Sequence, residues 1–433
     1  MQISAPELVI RQENSYFEKM SRTIFIAGAS VRCAVDSAIR GGYTPLAADL
    51  FADYDLRQQC QSYRIHDYPA QFLDISRELP DVPWMYTGGL ENHPRLVDQI
   101  SRHHPLMGNS GNVLRKAYNP FLIKDILADQ NLPYPEITRT CPETTTGKWL
   151  RKSFRSTGGQ GISRVPVQAT SIASENAASS KELYYQRFLD GPCYSATFLA
   201  SDHTCDLLGV TRQLVGKGFT DGPSFGYCGS LGPIVLTLEQ KSTLDRIGRA
   251  LTTTIPLRGL FGIDFIWHAC QIWTLEINPR FPASVEILEL ASGLSATALH
   301  CQACLDPKKL SIPPMKADLQ YGKAIIYSRE ACTITDDNCQ HWAAQDASQR
   351  TTSGDPSSWF ADIPMPGTTI PMGRPILTVV AQDRNSQQVL QRLIRTARQV
   401  RQECHLPCLS DAIDSTGHSE KLEATLPINL PDG

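Results

Sequence analysis

The first sustained apolar run, TIFIAGAS at residues 23–30, predicts a buried strand that ends at Gly28, Ala29 and Ser30. VRCAVDSAIRGG then spaces its apolar positions three and four apart, the stripe of a packed helix, and stops at Gly41 and Gly42. YTPLAADL gives a second strand ending at Asp49, so the chain opens as a βαβ unit. Farther along the period shortens to two. KWLRKSF places Trp149, Arg151 and Ser153 on one strand face and Leu150, Lys152 and Phe154 on the other. YYQRFL reads as a strand running into a turn at Asp190 to Pro192, and FGIDFIW and QIWTLEI flank a turn at His268 to Cys270, a β-hairpin. PASVEILELASGLSATALHCQAC predicts helix, turn at Gly293 and helix, with Glu286 and Glu289 as solvated positions. The remainder holds strands at YGKAIIYS and PILTVVAQ, a loop from Thr351 to Ser358, a helix QQVLQRLIRTARQVRQEC, and a loose polar tail from Asp411 onward.

This pattern divides into an N-terminal tail (1–22), a Rossmann-like unit (23–114), a central domain (115–308) and a small C-terminal α+β domain with its tail (309–433). A chain of 433 residues with 41% apolar and 8% aromatic content supplies the several cores this requires. The formal net charge of −3, without a long Lys/Arg block, argues against nucleic acid or an acidic membrane as partner and for a small ligand. No stretch has the apolar length of a signal peptide or a bilayer span, so a cytoplasmic protein is expected. Thirteen cysteines at irregular spacings suit reduced thiols used in packing. The CxxC of Cys301 and Cys304 beside His300, with Cys404 and Cys408, leaves a metal or redox role as the alternative.

Candidate chemistry is concentrated in the middle of the chain. The opening βαβ lacks GxGxxG, since Gly28 is followed by Ala29, Ser30, Val31 and Arg32, which speaks against a dinucleotide site and leaves Ser30 and Arg32 to touch some other ligand. Directly after KWLRKSF comes Ser156, Thr157, Gly158, Gly159, Gln160, Gly161. Such a loop brings backbone N–H groups close to phosphate oxygens, and Lys152 adds a compact charge. The lysine precedes the glycines, so this is not a P-loop, and the HRD and DFG elements of protein kinases are missing. In the hairpin, pairing centred on Cys270 sets Asp264 across from Glu276, and period-two geometry puts Asn278 on the face of Glu276. Two buried carboxylates that close repel by several kcal/mol unless a cation lies between them, and an all-oxygen donor set points to Mg2+. An exposed acidic pair at a sheet edge is the alternative reading.

These residues resemble the ATP-grasp superfamily over roughly residues 115–300: an acid, twelve residues, a second acid, one residue, Asn, and Arg two further on, reproduced by Asp264, Glu276, Asn278 and Arg280. The resemblance implies an α/β ATP-grasp fold behind an N-terminal Rossmann-like βαβ domain. It implies phosphate contacts from Lys124, Lys152 and the loop Ser156, Thr157, Gly158, Gly159 and Gly161, and adenine contacts from Gln186, Arg187 and Leu189, with Gln186 where many members carry Glu. Asp264, Glu276 and Asn278 would hold one or two Mg2+ ions, with Mn2+ as a substitute, and Arg280 and Arg212 would be catalytic. The implied reaction is a carboxylate–amine ligation through an acyl phosphate, with small-molecule carboxylate and amine substrates and a homodimer as the expected assembly. The QLVG and YCGSLGP segments are similar to predicted ligases of one-carbon cofactor pathways, including those joining glutamate to tyramine, and make glutamate the first substrate to test. An ATP-grasp carboxylase, a small-molecule kinase and a non-catalytic Mg-ATP-binding regulator remain as alternatives.

Overall fold

The computed structural model of the protein describes residues 22–142, 148–166, 183–202, 204–307, 312, 319–349 and 357–406. The expected N-terminal tail (apart from Arg22), the tail from Asp411 and residues 351–356 of the expected loop lie outside them.

The opening βαβ unit becomes a parallel sheet of β1 (Thr23–Ala27), β2 (Thr44–Asp49), β3 (Gln61–Arg64) and β4 (Trp84–Tyr86) in the order β3-β2-β1-β4. All five residues of β1 are buried, as expected of a strand flanked on both edges and covered on both faces. The helix Arg32–Arg40 starts five residues beyond the end of β1 and packs against the helix Ala296–Leu305 far along the chain.

A small antiparallel sheet follows, with β5 (Ile137–Thr138), β6 (Trp149–Ser153), β7 (Ser163–Arg164) and β8 (Leu183–Arg187) ordered β5-β8-β6-β7. The glycine loop joins β6 to β7.

The largest sheet has eight strands. β9 (Cys193–Ala200), β10 (Cys205–Val215), β11 (Tyr227–Gly232), β12 (Gly259–His268), β13 (Gln271–Asn278) and β14 (Gln320–Tyr327) are joined by β16 (Ser357–Ala361) and β18 (Pro375–Asp383). The order is β13-β12-β9-β10-β11-β14-β18-β16, antiparallel at every junction. β14 adds to β11 with Lys323 opposite Ser230, so residues 320–383 extend the sheet begun by 193–278. A short pair, β15 (Cys332–Thr333) with β17 (Thr369–Ile370), stands apart.

Alternation along the central strands explains why this sheet serves two cores. Phe198 and Phe261 stack with ring centroids 5.2 Å apart on the face covered by the helices Pro120–Ala128 and Leu238–Thr254. Their neighbours Leu199 and Leu260 face the other way, into the core shared with Ile24, Ile26 and Val35 of the N-terminal unit. A third core lies under the helix Ser386–Glu403, around Trp342 and Phe360. One cavity is lined by residues from all of these units. Among the described residues no helix is long and apolar enough to cross a membrane, and the described cysteines are free thiols.

Candidate active site

The hairpin of β12 and β13 forms because a two-residue turn, Ala269 and Cys270, adopts left-handed backbone (φ 49° and 59°), the conformation that matches strand twist in a tight hairpin. Asp264 pairs with Glu276 as expected, although the turn is centred between Ala269 and Cys270 and not on Cys270. The register shifts by one residue between Asp264 and Phe265, a bulge at Leu275, and beyond it Asn278 sits opposite Gly262. The Asn278 Nδ2 donates to Asp264 Oδ2 at 3.1 Å, whereas the second oxygen of Asp264 is buried and has no hydrogen-bond partner. Burial, and then the neighbouring Glu276 carboxylate, push the Asp264 carboxyl up to about 7. A buried carboxylate with an orphaned oxygen beside a second carboxylate has the donor chemistry of a divalent-cation site, and its oxygen-only ligands suit Mg2+. The Asn278 side-chain oxygen accepts from Arg280 Nη2 at 3.1 Å, which turns it toward the guanidinium. Among the described residues no group of three or more His, Cys, Asp and Glu is arranged to hold a metal ion, so here the protein would offer two carboxylates and leave the remaining positions to the amide, the nucleotide or water.

These groups line one cavity of about 380 Å3, together with Leu150, Lys152, Thr157, Gly158, Gly159 and Gln186. Lys152 is only 5% exposed, and its ammonium donates to Gln186 Oε1 at 3.0 Å. That bond orients the amide, because an ammonium has only donors. The Gln186 Nε2 is left buried without a partner. Arg187, Phe188 and Leu189 continue the wall. The Arg187 backbone N–H is given to the Glu136 carbonyl at 2.8 Å, so it is not free for a nucleobase as the sequence reading allowed.

The glycine loop is shaped by left-handed backbone at Gly158, Gly159 and Gly161. At Gly159 a side chain would also collide with the Phe225 carbonyl oxygen. The Tyr227 N–H donates to the Gly158 carbonyl at 3.3 Å. Ser156 and Gly161 flank the cavity wall without forming part of it.

Arg280 reaches the cavity with every nitrogen engaged: Nε donates to Glu91 Oε1 at 2.9 Å, Nη1 to the Phe281 carbonyl at 3.2 Å, and Nη2 to Asn278. Beyond it the cavity extends to Ser30, Arg32, Ser284, Lys323 and Asp362. Arg32 contacts Glu286 at 2.6 Å, Asp362 at 2.9 Å and Asp36 at 3.1 Å, and Lys323 contacts Glu286 at 2.7 Å. Burial opposes ionisation of Glu286, but Arg32 and Lys323 outweigh it and hold its carboxyl well below the usual range.

Two candidates lie elsewhere. Lys124 is exposed on the helix Pro120–Ala128, which turns Ile123, Ile126 and Leu127 inward, and the structure does not bring it to the cavity. Arg212 is also off the wall: on β10 the cavity residues are Gln213 and Val215, and strand alternation sends Arg212 to the opposite face. There, opposite Tyr194, burial lowers its pKa and its Nη1 has no hydrogen-bond partner. Glu286 and Glu289, expected in solvent, are 6% and 2% exposed. Glu91, Lys323 and Asp362 were not anticipated: Glu91 and Asp362 stand in short segments without a spacing signal, and Lys323, although on the expected strand YGKAIIYS, meets its partner Glu286 from 37 positions away.

Comparison with known proteins fits this geometry. Residues 118–284 match the family model described as an ATP-grasp domain. An uncharacterized protein of Methanocaldococcus jannaschii is 22% identical over 386 residues, 85% of this chain and 90% of that protein. Among solved structures, an ADP complex of N5-carboxyaminoimidazole ribonucleotide synthetase superposes with a TM-score of 0.63 at 15% identity, covering 89% of this chain and 98% of that one. An L-amino acid ligase from Bacillus licheniformis superposes with a TM-score of 0.62 at 14% identity, covering 87% and 97%. Residues 118–284 therefore match an ATP-grasp domain, and the chain has the α/β ATP-grasp fold with an N-terminal parallel-sheet domain.

Proposed function

We propose that the protein is an ATP-dependent carboxylate–amine ligase, which joins a small carboxylic acid to an amine with release of ADP and phosphate. The observation that carries this reading is that one cavity holds Lys152, the glycine loop, the Asp264–Glu276 pair and Arg280, and then continues past Arg280 to Arg32, Lys323 and Asp362. The first part suits a nucleoside triphosphate. The second has fixed charges of both signs, which suits substrates bearing carboxylate and amino groups. Lys152 and the loop N–H groups would hold the phosphates, and Asp264, Glu276 and Asn278 would hold Mg2+, which supplies charge neutralisation at the transferring phosphoryl group. Arg280 would face the oxyanion that develops when an amine attacks the acyl carbon.

The residue assignments Ser156, Thr157, Gly158, Gly159, Gly161, Gln186 and Leu189 for the nucleotide belong to this proposal, as does the division into units at residues 22, 114 and 308. The test is ADP release by the full chain with paired amino acids and amines, glutamate first, followed by mass spectrometry of the product. An amide formed in step with ADP supports the reading, and no release with any pair would end it. ADP release that requires bicarbonate would identify a carboxylase. Turnover without hydroxamate formation in hydroxylamine would identify phosphorylation of an alcohol.

A further inference from the structure

Glu91 is 0% exposed and stands on the short turn Leu90–Asn92 that follows β4. One of its oxygens does all the bonding: Oε1 accepts from Arg280 Nε at 2.9 Å and from the Thr157 hydroxyl at 3.2 Å, whereas Oε2 is buried with no hydrogen-bond partner. The adjacent Asn92 donates its Nδ2 to the same Thr157 hydroxyl at 2.6 Å. Two consecutive side chains of the N-terminal unit thus hold the glycine loop, and one of them holds Arg280.

A carboxylate and a guanidinium left to themselves pair through both oxygens and two nitrogens. Here that arrangement is not adopted, because Thr157 shares Oε1 and Arg280 Nη2 is given to Asn278 instead. We infer that Glu91 is a positioning residue that aims Arg280 at Asn278 only while Thr157 is seated against it. With the loop lifted, the Glu91 carboxylate loses its hydroxyl partner and rotates to bring its unsatisfied oxygen onto the guanidinium. Nη2 then leaves Asn278, and the amide beside Asp264 loses its orientation. Seating of the loop and the aim of Arg280 are in this way one event, read through a single carboxylate oxygen. The kinetic part of this inference rests on the ligase reading above.

The test uses Thr157→Val, Asn92→Ala and the hydroxyl-retaining Thr157→Ser in the full chain. Arg155 is exposed at the base of the loop, so trypsin reports seating without any catalysis. Thr157→Val and Asn92→Ala should be cut after Arg155 about tenfold faster than wild type, and Thr157→Ser at the wild-type rate. In the ADP-release assay the first two should need several-fold more Mg2+ for half-activation and lose about tenfold in kcat, with Thr157→Ser again restoring both. Unchanged cleavage in both variants would overturn the inference. So would faster cleavage with unaltered Mg2+ dependence, which would make the contact a strap that does not reach Arg280. If wild type releases no ADP, the ligase reading fails separately. The inference is then judged by the Mg2+ dependence of binding of a nonhydrolysable ATP analogue: a rise in the two variants supports it, and no change overturns it.

Discussion

Lys152 and Gln186 meet across the two inner strands of the small sheet, the ammonium donating to the amide oxygen at 3.0 Å. An ammonium this deeply buried, at 5% exposure, carries a desolvation cost that a neutral amide offsets only in part. A nucleotide phosphate would complete the compensation, which makes the lysine a ground-state contact. Lys152→Ala should therefore weaken binding of a nonhydrolysable ATP analogue by about ten- to a hundredfold, as read by equilibrium dialysis. Binding at wild-type strength would place the triphosphate elsewhere.

Asp264 and Glu276 place like charges at one register position, and the strain this creates should be measurable in stability. In EDTA, Asp264→Asn should unfold at higher urea than wild type, by about 1 kcal/mol, because one of two mutually repelling carboxylates has become neutral. On adding Mg2+ with an ATP analogue the order should reverse, since only wild type retains the pair that would hold the ion. A variant less stable than wild type in EDTA would show that Asn278 already compensates the pair.

Arg280 is held by Glu91, Asn278 and the Phe281 carbonyl, so its guanidinium is fixed before any substrate arrives. A cation held in place toward a charge that appears during the reaction acts on turnover. Arg280→Lys should lower kcat by about a hundredfold or more and leave the KM for ATP within about threefold, in steady-state ADP release. Equal losses in both parameters would make Arg280 a nucleotide contact instead.

How much of this was readable beforehand depends on which physical rule governed each residue. The Asp264–Glu276 pair was readable from a register centred on Cys270, but the turn that forms is Ala269–Cys270, whose own register would set Asp264 opposite Leu275; the bulge at Leu275 restores the expected pair, and no local pattern announces it. Period two placed Leu150 and Lys152 together, and both line the cavity. Lys124 was assigned by family resemblance, although the apolar stripe of Ile123, Ile126 and Leu127 already put position 124 on the outer side of its helix. Arg212 could not be settled this way, because both faces of β10 are half-buried and its parity carries no polar signal. Glu91 and Asp362 owe their place to contacts with residues 189 and 330 positions away, Arg280 and Arg32, and no local pattern encodes such a meeting.

Glu286 and Glu289 lie one turn apart on the helix Val285–Ser292, and they should carry opposite pH signatures. Glu286, despite burial, is held well below its ordinary 4.5 by Arg32 and Lys323. Its contribution to stability is present above that value and lost as pH falls below it. Glu289 is pushed up to about 7 by burial, against the pull of Arg40, Ser37 and the Ala296 N–H. Between its unfolded value of 4.5 and about 7 the folded state binds the extra proton, so stability falls as pH rises through that window, by at most about 1.4 kcal/mol per pH unit. Urea unfolding of Glu289→Gln from pH 5 to 8 should show a shallower decline than wild type. Glu286→Gln, which leaves two buried cations short of a partner, should be less stable than wild type by about 3 kcal/mol near pH 7, and the gap should narrow below pH 4.5. A Glu289→Gln profile parallel to wild type would mean that the Glu289 carboxylate is already ionised at pH 5, with Arg40 compensating it in full.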